Sequence, residues 1–280
     1  VDGDNLQLTG ASVAIGAGFV AGEDRLSFTN ANGISGAWDG ATGVMTLSGA
    51  ATVAQYQAAL RSIQYSSLAG DSPTAGNRTL SWRASDGALM GVAATSTIAV
   101  VAVDDRPVVT VGAALGYTEG DGSRVIDATV TVGDVDSPLL ASATVRLGAG
   151  FVAGEDLLDY AGALSKNWNG ATGVLTLTGA ANANAYRDAL KSVTYANAAG
   201  DAPTSGVRSI TFQVNDGTSS SVAVTSQVTV TAVNDAPVLT AGGVVNYTEG
   251  DAPTIMDNTI TVMDADNPQL QRARVVITAG

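Results

Sequence analysis

The chain of 280 residues carries 13 basic and 26 acidic side chains, a formal net charge of −13, and contains neither histidine nor cysteine. It therefore has no disulfide, Cys/His zinc site, Ser-His-Asp triad or thiol nucleophile, and its acidity argues against nucleic acid as a partner. Hydrophobic residues make up 45% and charged residues 14%, which indicates a folded chain, and no apolar run reaches the length of a membrane span.

An internal repeat of about 130 residues organises the chain. Three pairs of segments show it: GFVAGEDRL at 18–26 with GFVAGEDLL at 150–158, GATGVMTLSGAA at 40–51 with GATGVLTLTGAA at 170–181, and AVDDRPVVT at 102–110 with AVNDAPVLT at 232–240. We therefore expect a partial repeat over 1–104, a complete repeat over 105–234 and the N-terminal part of a third over 235–280. Such a chain is expected to be either a window of a longer array or a subunit whose partial ends complete neighbouring copies.

Short strands are predicted throughout the complete repeat, because stretches rich in Val and Thr alternate with Gly, Asn and Asp. The predicted strands cover 107–117, 124–132, 141–147, 173–179, 207–214 and 219–232. In the last of them the valines occupy even-numbered positions from Val222 to Val230, as in a half-buried strand. Leu175 and Leu177 likewise alternate with threonines.

One segment in each repeat has helical spacing instead. Its apolar residues recur three or four positions apart: Val53, Tyr56, Leu60 and Ile63, then Ala183, Tyr186, Leu190 and Val193. The prediction is an all-β chain of tandem β-sandwich domains with one short helix per repeat. Because the Asp-x-Pro connections at 105–107 and 235–237 are too short to act as flexible tethers, we expect the domains to stack end to end.

Acidic residues cluster at the ends of the repeats. The recurring groups are Asp2-x-Asp4, Asp104-Asp105, Asp134-x-Asp136, Asn215-Asp216-Gly217, Asn234-Asp235 and Asp264-x-Asp266. Packed carboxylates repel one another unless a cation neutralises them, and Ca²⁺ takes six to eight oxygen ligands. Asp and Asn also favour turns, but their recurrence in register favours a calcium site at each domain junction.

Four motifs carry a resemblance to a known family: VNDAP at 233–237, YTEG at 247–250, DADN at 264–267 and VNDG at 214–217. The repeat resembles the bacterial cadherin-like repeats of large calcium-dependent surface adhesins, including RTX-type proteins, and is similar to repeats of chondroitin sulphate proteoglycan type. The resemblance covers the whole chain. It implies tandem cadherin-like or Ig-like β-sandwiches with calcium at their junctions.

The resemblance also implies the calcium ligands, because in cadherins two successive domains and their linker share one site. The junction near Asp235 would use Glu119, Asn234, Asp235, Asp264 and Asp266; the junction near Asp105 would use Asp104, Asp105, Asp134, Asp136 and Asp216. Ala102 and Ala232 replace the leading aspartate of the linker, and the mid-domain acidic pair is missing. We therefore expect one or two ions per junction. Whether Glu155-Asp156 or Asp121 compensates is left open by the sequence.

The expected function is that of a non-enzymatic module at the cell surface or outside the cell, a calcium-rigidified spacer or adhesive stalk of a large adhesin. One alternative is a structural subunit of a surface filament or sheath, assembled by strand exchange between partial repeats. Another is a carbohydrate-binding module in which Trp38 and Trp168 stack on surface glycans rather than pack on the core. The expected partners are neighbouring repeats or identical chains in head-to-tail contact.

Overall fold

A computed structural model describes residues 7–278 of the chain. Its regular structure is almost entirely β-strand with two short helices, as predicted. The chain divides into two compact units, Val1–Asp105 (unit 1) and Arg106–Gly280 (unit 2). Each unit has its own cluster of buried apolar side chains.

Unit 1 consists of two sheets and a helix. Its elements are β1 (Gln7–Ile15), β2 (Asp24–Ser27), β3 (Ser35–Asp39), β4 (Val44–Thr52), α1 (Val53–Arg61), β5 (Gln64–Ser67), β6 (Gly76–Ser85) and β7 (Ala94–Val100). Five strands form an antiparallel sheet in the order β3-β4-β1-β6-β7, and β2 pairs with β5. Both sheets and α1 contribute side chains to the core, among them Val13, Leu26 and Tyr56.

Unit 2 repeats this plan and adds strands to it. Its elements are β8 (Val108–Thr110), β9 (Leu115–Thr118), β10 (Arg124–Val125), β11 (Thr131–Gly133), β12 (Leu140–Leu147), β13 (Asp156–Asp159), β14 (Ser165–Asn169), β15 (Val174–Ala181), α2 (Ala183–Lys191), β16 (Thr194–Asn197), β17 (Gly206–Asn215), β18 (Val224–Thr231), β19 (Val238–Thr240) and β20 (Thr261–Met263). The sheets are β14-β15-β12-β17-β18-β9, β10-β16-β13, β8-β11 and β19-β20. Strand β9 lies parallel to β18, whereas the other pairs are antiparallel.

Burial follows the predicted alternation in β15 and in the second half of β18, whereas Val222, which was predicted to share the buried face, lies before β18 and is exposed. Leu175 and Leu177 are buried on one face of β15, and Val228 and Val230 are buried on one face of β18 while the intervening threonines are exposed. The last strand begins at Val224 rather than at 219. The reason is a turn, in which Asp216 accepts the N–H groups of the two residues that follow Gly217.

The predicted strands 107–117 and 124–132 are each broken in two. The Oδ2 of Asp127 accepts the N–H groups of Gly112 and Ala113 over 2.8 and 3.1 Å, and its Oδ1 accepts the N–H of Thr129 over 2.7 Å. These amides are satisfied by a side chain, so they take no part in a strand ladder. The valine-rich composition signalled both strands but not this interruption.

Both predicted helices are present over nine residues each. Thr52 and Gln55 form a reciprocal capping box at the start of α1, and Asn182 caps α2 by accepting the N–H of Ala185. The hydroxyl of Tyr186 donates to the carbonyl of Gly179 over 2.7 Å, which ties α2 to β15. Within residues 7–278, no helix is long and apolar enough to cross a membrane.

A buried ion pair joins the two main sheets of unit 2. The Nε of Arg208, on β17, donates to the Oδ2 of Asp156, at the start of β13, over 3.0 Å, and both side chains are almost fully buried. The hydroxyl of Tyr195, on β16, donates to the other carboxylate oxygen over 2.5 Å. The N–H of Val152 donates to the Oδ2 of Asp156 over 2.7 Å, so the carboxylate also holds the loop before β13.

Unit 1 contains the same arrangement. Asp24 pairs with Arg78 over 2.9 Å and accepts the hydroxyl of Tyr65 over 2.5 Å. Burial acts to raise the pKa of Asp24, but the hydrogen bonds from Tyr65, from the N–H of Val20 and from Arg78 outweigh it and lower that pKa. Burial and the bond to Asp24 together raise the pKa of Tyr65 to about 12.

Asp156→Asn should destabilise unit 2 by about 3–5 kcal/mol, because it leaves the guanidinium of Arg208 buried without its counter-charge. The matched control is Asp188→Asn, which breaks the exposed pair between Asp188 and Arg187 and should cost less than about 1 kcal/mol. Urea denaturation of the three proteins measures the difference. Equal losses in both variants would contradict the structural role of the buried pair.

Unit 1 should lose stability in acid. The pKa of Asp24 is lowered on folding, so its contribution is complete above the unfolded value of about 3.9 and is lost as the pH falls through the folded value. Urea denaturation at about pH 3 and pH 6 in a Trp168→Phe background, where Trp38 and Trp82 report unit 1, measures this loss. Asp24→Asn should show a smaller difference between the two pH values, and an unchanged difference would refute the assignment.

Candidate cation site

Three carboxylates meet at the end of unit 2 where β18 ends. One oxygen each of Glu119, Asp201 and Asp235 lies within 4.8 Å of the other two. In the part of the chain that the structure describes, this is the one group of three or more acidic side chains that meets so closely. The sequence predicted two of its members, Glu119 and Asp235, for the same site.

The ends of neighbouring strands bring these side chains together. Glu119 follows β9, which runs parallel to β18, and its N–H donates to the carbonyl of Thr231 at the end of β18 over 3.0 Å. Asp235 lies in the segment that leaves β18, and the N–H of Val233 in that segment donates to the carboxylate of Glu119 over 2.9 Å. Asp201 lies in the loop between β16 and β17. The antiparallel pairing of β17 with β18 places the start of β17 at the same end.

The buried ion pair positions the loop that carries Asp201. The guanidinium of Arg208 donates to the carbonyl of Thr204 over 2.6 Å, and the carboxylate of Glu155 accepts the N–H and hydroxyl of Thr204 over 2.9 and 2.7 Å. Glu155 and Asp156 therefore hold this loop and do not join the carboxylate group. The sequence left open whether they would serve as ligands. Their contacts show that they hold the loop before β17 instead.

Asp121 is also engaged elsewhere. It accepts the N–H of Thr118 over 2.9 Å and pairs with Arg124 over 3.2 Å.

The surroundings of Asp235 disfavour its ionised form. Burial raises its pKa, and the negative charges of Glu119, Asp201 and Asp266 raise it further. Its Oδ2 is buried and receives no hydrogen bond. An ionised carboxylate in such surroundings is unfavourable unless a cation compensates it, and a donor set made only of oxygens fits a hard cation such as Ca²⁺.

The other predicted ligands near Asp235 border the group. The carboxylate of Asp266 accepts the N–H of Asp235. Asp264 accepts the N–H groups of Asp266 and Asn267 over 3.1 and 2.8 Å, and the side-chain amide of Asn267 donates to Asn234 over 3.1 Å. These contacts hold the segment around Asp235 in place, and neither Asp264 nor Asp266 is a member of the group of three.

Asp134, Asp136 and Asp216 lie at the opposite end of unit 2. Asp216 follows the last residue of β17, and Asp134 opens the connection from β11 to β12, whose first residues pair with the end of β17. Asp134 and Asp216 each use Oδ1 to accept two backbone N–H groups over 2.6–3.2 Å, and the Oδ2 of each is buried without a hydrogen bond. Burial raises the pKa of Asp134, and Asp136 adds to the effect.

Asp104 and Asp105, the remaining predicted ligands, are exposed at the end of unit 1. A site that combines them with Asp134, Asp136 and Asp216 stays a prediction. Asp2 and Asp4 lie outside the described residues.

Asp201 is the acidic residue that the sequence analysis missed. The repeat contains a pattern that marks this residue. AGDAPT at 199–204 repeats AGDSPT at 69–74, so Asp71 occupies the corresponding position of unit 1. The repeat marks the position but does not show that this loop reaches the end of β9. That proximity follows from the parallel placement of β9 beside β18.

The two repeated tryptophans pack against the cores of their units. Trp168 is partly buried against the core of unit 2. Trp38 packs on the core of unit 1 and meets Phe19 edge-to-face, with ring centroids 6.4 Å apart. This packing does not favour a carbohydrate-stacking role.

Comparison with known proteins gives one match among curated sequences and no match to a family model. The chain is 27% identical over 320 aligned positions to a segment of halomucin from Haloquadratum walsbyi. The alignment covers 77% of this chain and 4% of halomucin, so the chain corresponds to a small part of that protein.

Solved structures with some similarity include protocadherin gammaB7 domains EC3–6, at 15% identity and a TM-score of 0.30 over 88% of this chain and 52% of that one. Domains 4 and 5 of the S-layer protein SbsC match at 14% identity and a TM-score of 0.28 over 77% and 74%. These scores are low, and the assignment of a β-sandwich fold rests on the sheets described above.

Asp235→Asn should raise the melting temperature of the metal-free protein, because it removes one negative charge from beside Glu119, Asp201 and Asp266. Thermal unfolding in excess chelator measures the change. Asp251→Asn is the control, since Asp251 is an exposed acid whose Oδ2 accepts the N–H of Thr248 away from the group, and its removal should not raise the melting temperature. A lower melting temperature for Asp235→Asn in chelator would show that the carboxylate is satisfied without a cation.

Proposed function

We propose that the chain is an extracellular surface module whose tandem β-sandwich repeats are stiffened by Ca²⁺ at their ends. The observation that carries the proposal is the group of Glu119, Asp201 and Asp235, with a buried carboxylate oxygen that receives no hydrogen bond. The second acidic end of the same unit supports it, because Asp134 and Asp216 each have a buried oxygen of the same kind. The function requires no enzymatic chemistry.

In this proposal Glu119, Asp201 and Asp235 hold the ion, and the bordering residues Asp266 and Asn234 keep the exit segment against them. The bound ion neutralises the carboxylates and joins three parts of the chain, namely the end of β9, the loop before β17 and the segment after β18. Because that segment leads into the next repeat, cross-linking it to the sandwich limits bending at the repeat boundary.

The repeat boundaries proposed from the sequence, near 105 and 235, lie beside the two acidic ends of the complete repeat. The similarity to a segment of halomucin, a large surface protein, supports placement outside the cell. The absence of cysteine means that no disulfide can take the stiffening role. Bound cations are another way to rigidify such a chain.

Calcium should raise the melting temperature of the wild-type protein, since an ion that binds only the folded state stabilises it by mass action, by about 2.7 kcal/mol at a concentration 100 times the Kd. Glu119→Gln and Asp235→Asn should lose the part of this response that comes from the group of Glu119, Asp201 and Asp235, whereas Asp188→Asn, on the exposed face of α2, should keep the full response. Calorimetric titration and thermal unfolding measure both effects, with Mg²⁺ as a test of selectivity.

Small-angle scattering tests the stiffening itself. Chelator should broaden the distribution of interatomic distances in the wild-type protein. It should broaden that of Asp235→Asn less, because only the acidic end with Asp134 and Asp216 still binds an ion in this variant. Full binding stoichiometry in Glu119→Gln and Asp235→Asn, or identical scattering of the wild type with calcium and chelator, would overturn the proposal.

A further inference from the structure

The loop that carries Asp201 is closed by a single residue, Glu155. The carbonyl oxygen of Glu155 accepts the N–H of Ala198, at the start of the loop, over 2.7 Å. Its carboxylate accepts the N–H and the hydroxyl of Thr204, at the end of the loop, over 2.9 and 2.7 Å. One residue outside the loop therefore holds both of its ends, and Asp201 lies between them.

The path of the loop between these ends is also restricted. The side-chain oxygen of Asn197 accepts the N–H of Ala199 over 2.9 Å. The chain then turns at Gly200, whose φ of +64° lies in the left-handed region that favours glycine. After Asp201 comes the buried Pro203, whose ring fixes its own φ. The backbone at Asp201 is thus left with little freedom, although its side chain is exposed.

The start of the loop is tied to the strand that carries a second carboxylate of the group. The hydroxyl of Tyr117, on β9, accepts the N–H of Asn197 over 3.2 Å. The ring of Tyr117 meets that of Tyr195 edge-to-face, with centroids 5.0 Å apart. Glu119 follows two residues after Tyr117. Contacts inside the unit therefore help to set the distance between Glu119 and Asp201.

Unit 1 closes the corresponding loop in the same way. The carbonyl oxygen of Glu23 accepts the N–H of Leu68 over 2.7 Å, and its carboxylate accepts the N–H and hydroxyl of Thr74 over 2.9 and 2.8 Å. This loop carries Asp71. Among the residues that the structure describes, Asp71 belongs to no group of three carboxylates. Unit 1 thus contains the loop closure without the carboxylate group, which makes it a matched control.

We propose that Glu155 and Thr204 are positioning residues of the cation site, which hold Asp201 beside Glu119 and Asp235 and thereby set the affinity for Ca²⁺. This role rests on the proposed function of the group and adds to it the contacts that decide how tightly the ion binds. A ligand that is already in place loses less conformational entropy when the ion binds. Residues that orient metal ligands from behind typically account for 10–100-fold in affinity.

Thr204 is the residue whose substitution separates positioning from folding. It is exposed, so a change at this residue leaves no cavity in the core. Thr204→Val keeps the branched shape but removes the hydroxyl that donates to Glu155, and it should weaken Ca²⁺ binding by about tenfold. Thr204→Ser keeps the hydroxyl and should bind Ca²⁺ like the parent chain.

Calorimetric titration with CaCl₂ measures these affinities on the 280-residue chain. The parent chain carries Asp134→Asn and Asp216→Asn, which leave the group of Glu119, Asp201 and Asp235 as the ion site to be titrated. Asparagine retains the Oδ1 atom through which Asp134 and Asp216 each accept backbone N–H groups, so the turns at that end are preserved.

Thr74→Val is the matched control, because it removes the same hydrogen bond from the closure in unit 1. Both valine variants should melt slightly earlier than the parent chain in excess chelator. Only Thr204→Val should lose Ca²⁺ affinity. An equal affinity of Thr204→Val and Thr74→Val would show that the closure has a structural role alone, and would overturn the proposal.

Glu155→Gln provides a second test. It keeps the size of the side chain but replaces one of the two acceptor oxygens with an amide, so it should weaken Ca²⁺ binding as Thr204→Val does. Weaker binding in Glu155→Gln together with unchanged binding in Thr204→Val would identify Glu155 as a direct ligand and contradict the positioning role.

The outcome for the positioning residues is distinguishable from that for the proposed function. A parent chain that binds Ca²⁺ while Thr204→Val binds it equally well refutes the positioning role and leaves the calcium site intact. A parent chain that binds no Ca²⁺ refutes the calcium site of this group, and the positioning role with it.

Discussion

The buried ion pair between Asp156 and Arg208 is the interaction on which the rest of unit 2 depends. It connects the two main sheets across the core, and the carboxylate of Asp156 also accepts the hydroxyl of Tyr195 on β16. The same guanidinium holds the carbonyl of Thr204 and thereby the loop that carries Asp201. Unit 1 repeats the pair with Asp24 and Arg78. Compared with apolar side chains of similar volume, a buried ion pair adds little to the free energy of unfolding, but the loss of one partner lowers that energy strongly. The pair therefore fixes the sheets in one arrangement, because any other would separate the two charges.

The direction of the strands explains why acidic residues lie at both ends of unit 2. In the β-sandwich of unit 2, β17 runs from the end that carries Asp201 to the end that carries Asp216. At both ends, carboxylate oxygens are buried and accept no hydrogen bond. A buried polar atom without a partner lowers the free energy of unfolding. In the proposed function, a cation at each end removes this cost, and its position at the proposed repeat boundaries couples ion binding to the stiffness of the array.

The difference between the units is a difference in coverage. Strands β8 to β11 bury the edge and the helix face of unit 2, and the same face of unit 1 carries a groove within the described residues. These strands bury Val109, Tyr117 and Val130 to 4%, 3% and 0% exposure, so they form a layer over the core of unit 2.

The sequence alone determined the repeat, the helix position and the faces of the long strands, because each depends on local spacing. Tyr186 and Leu190 at helical intervals, and Val228 and Val230 at alternate positions, carry that information without tertiary contacts. It also placed Glu119 and Asp235 in one site, through the resemblance of their motifs. Tertiary structure decided the rest. Asp127 interrupts two predicted strands by binding amides from a distant segment, and Asp201 joins the site only because β9 lies parallel to β18. Nor does the sequence separate Asp156, which pairs with Arg208 in the core, from the acids at the ends. These roles depend on contacts between residues far apart in the chain, which no local pattern of residues encodes.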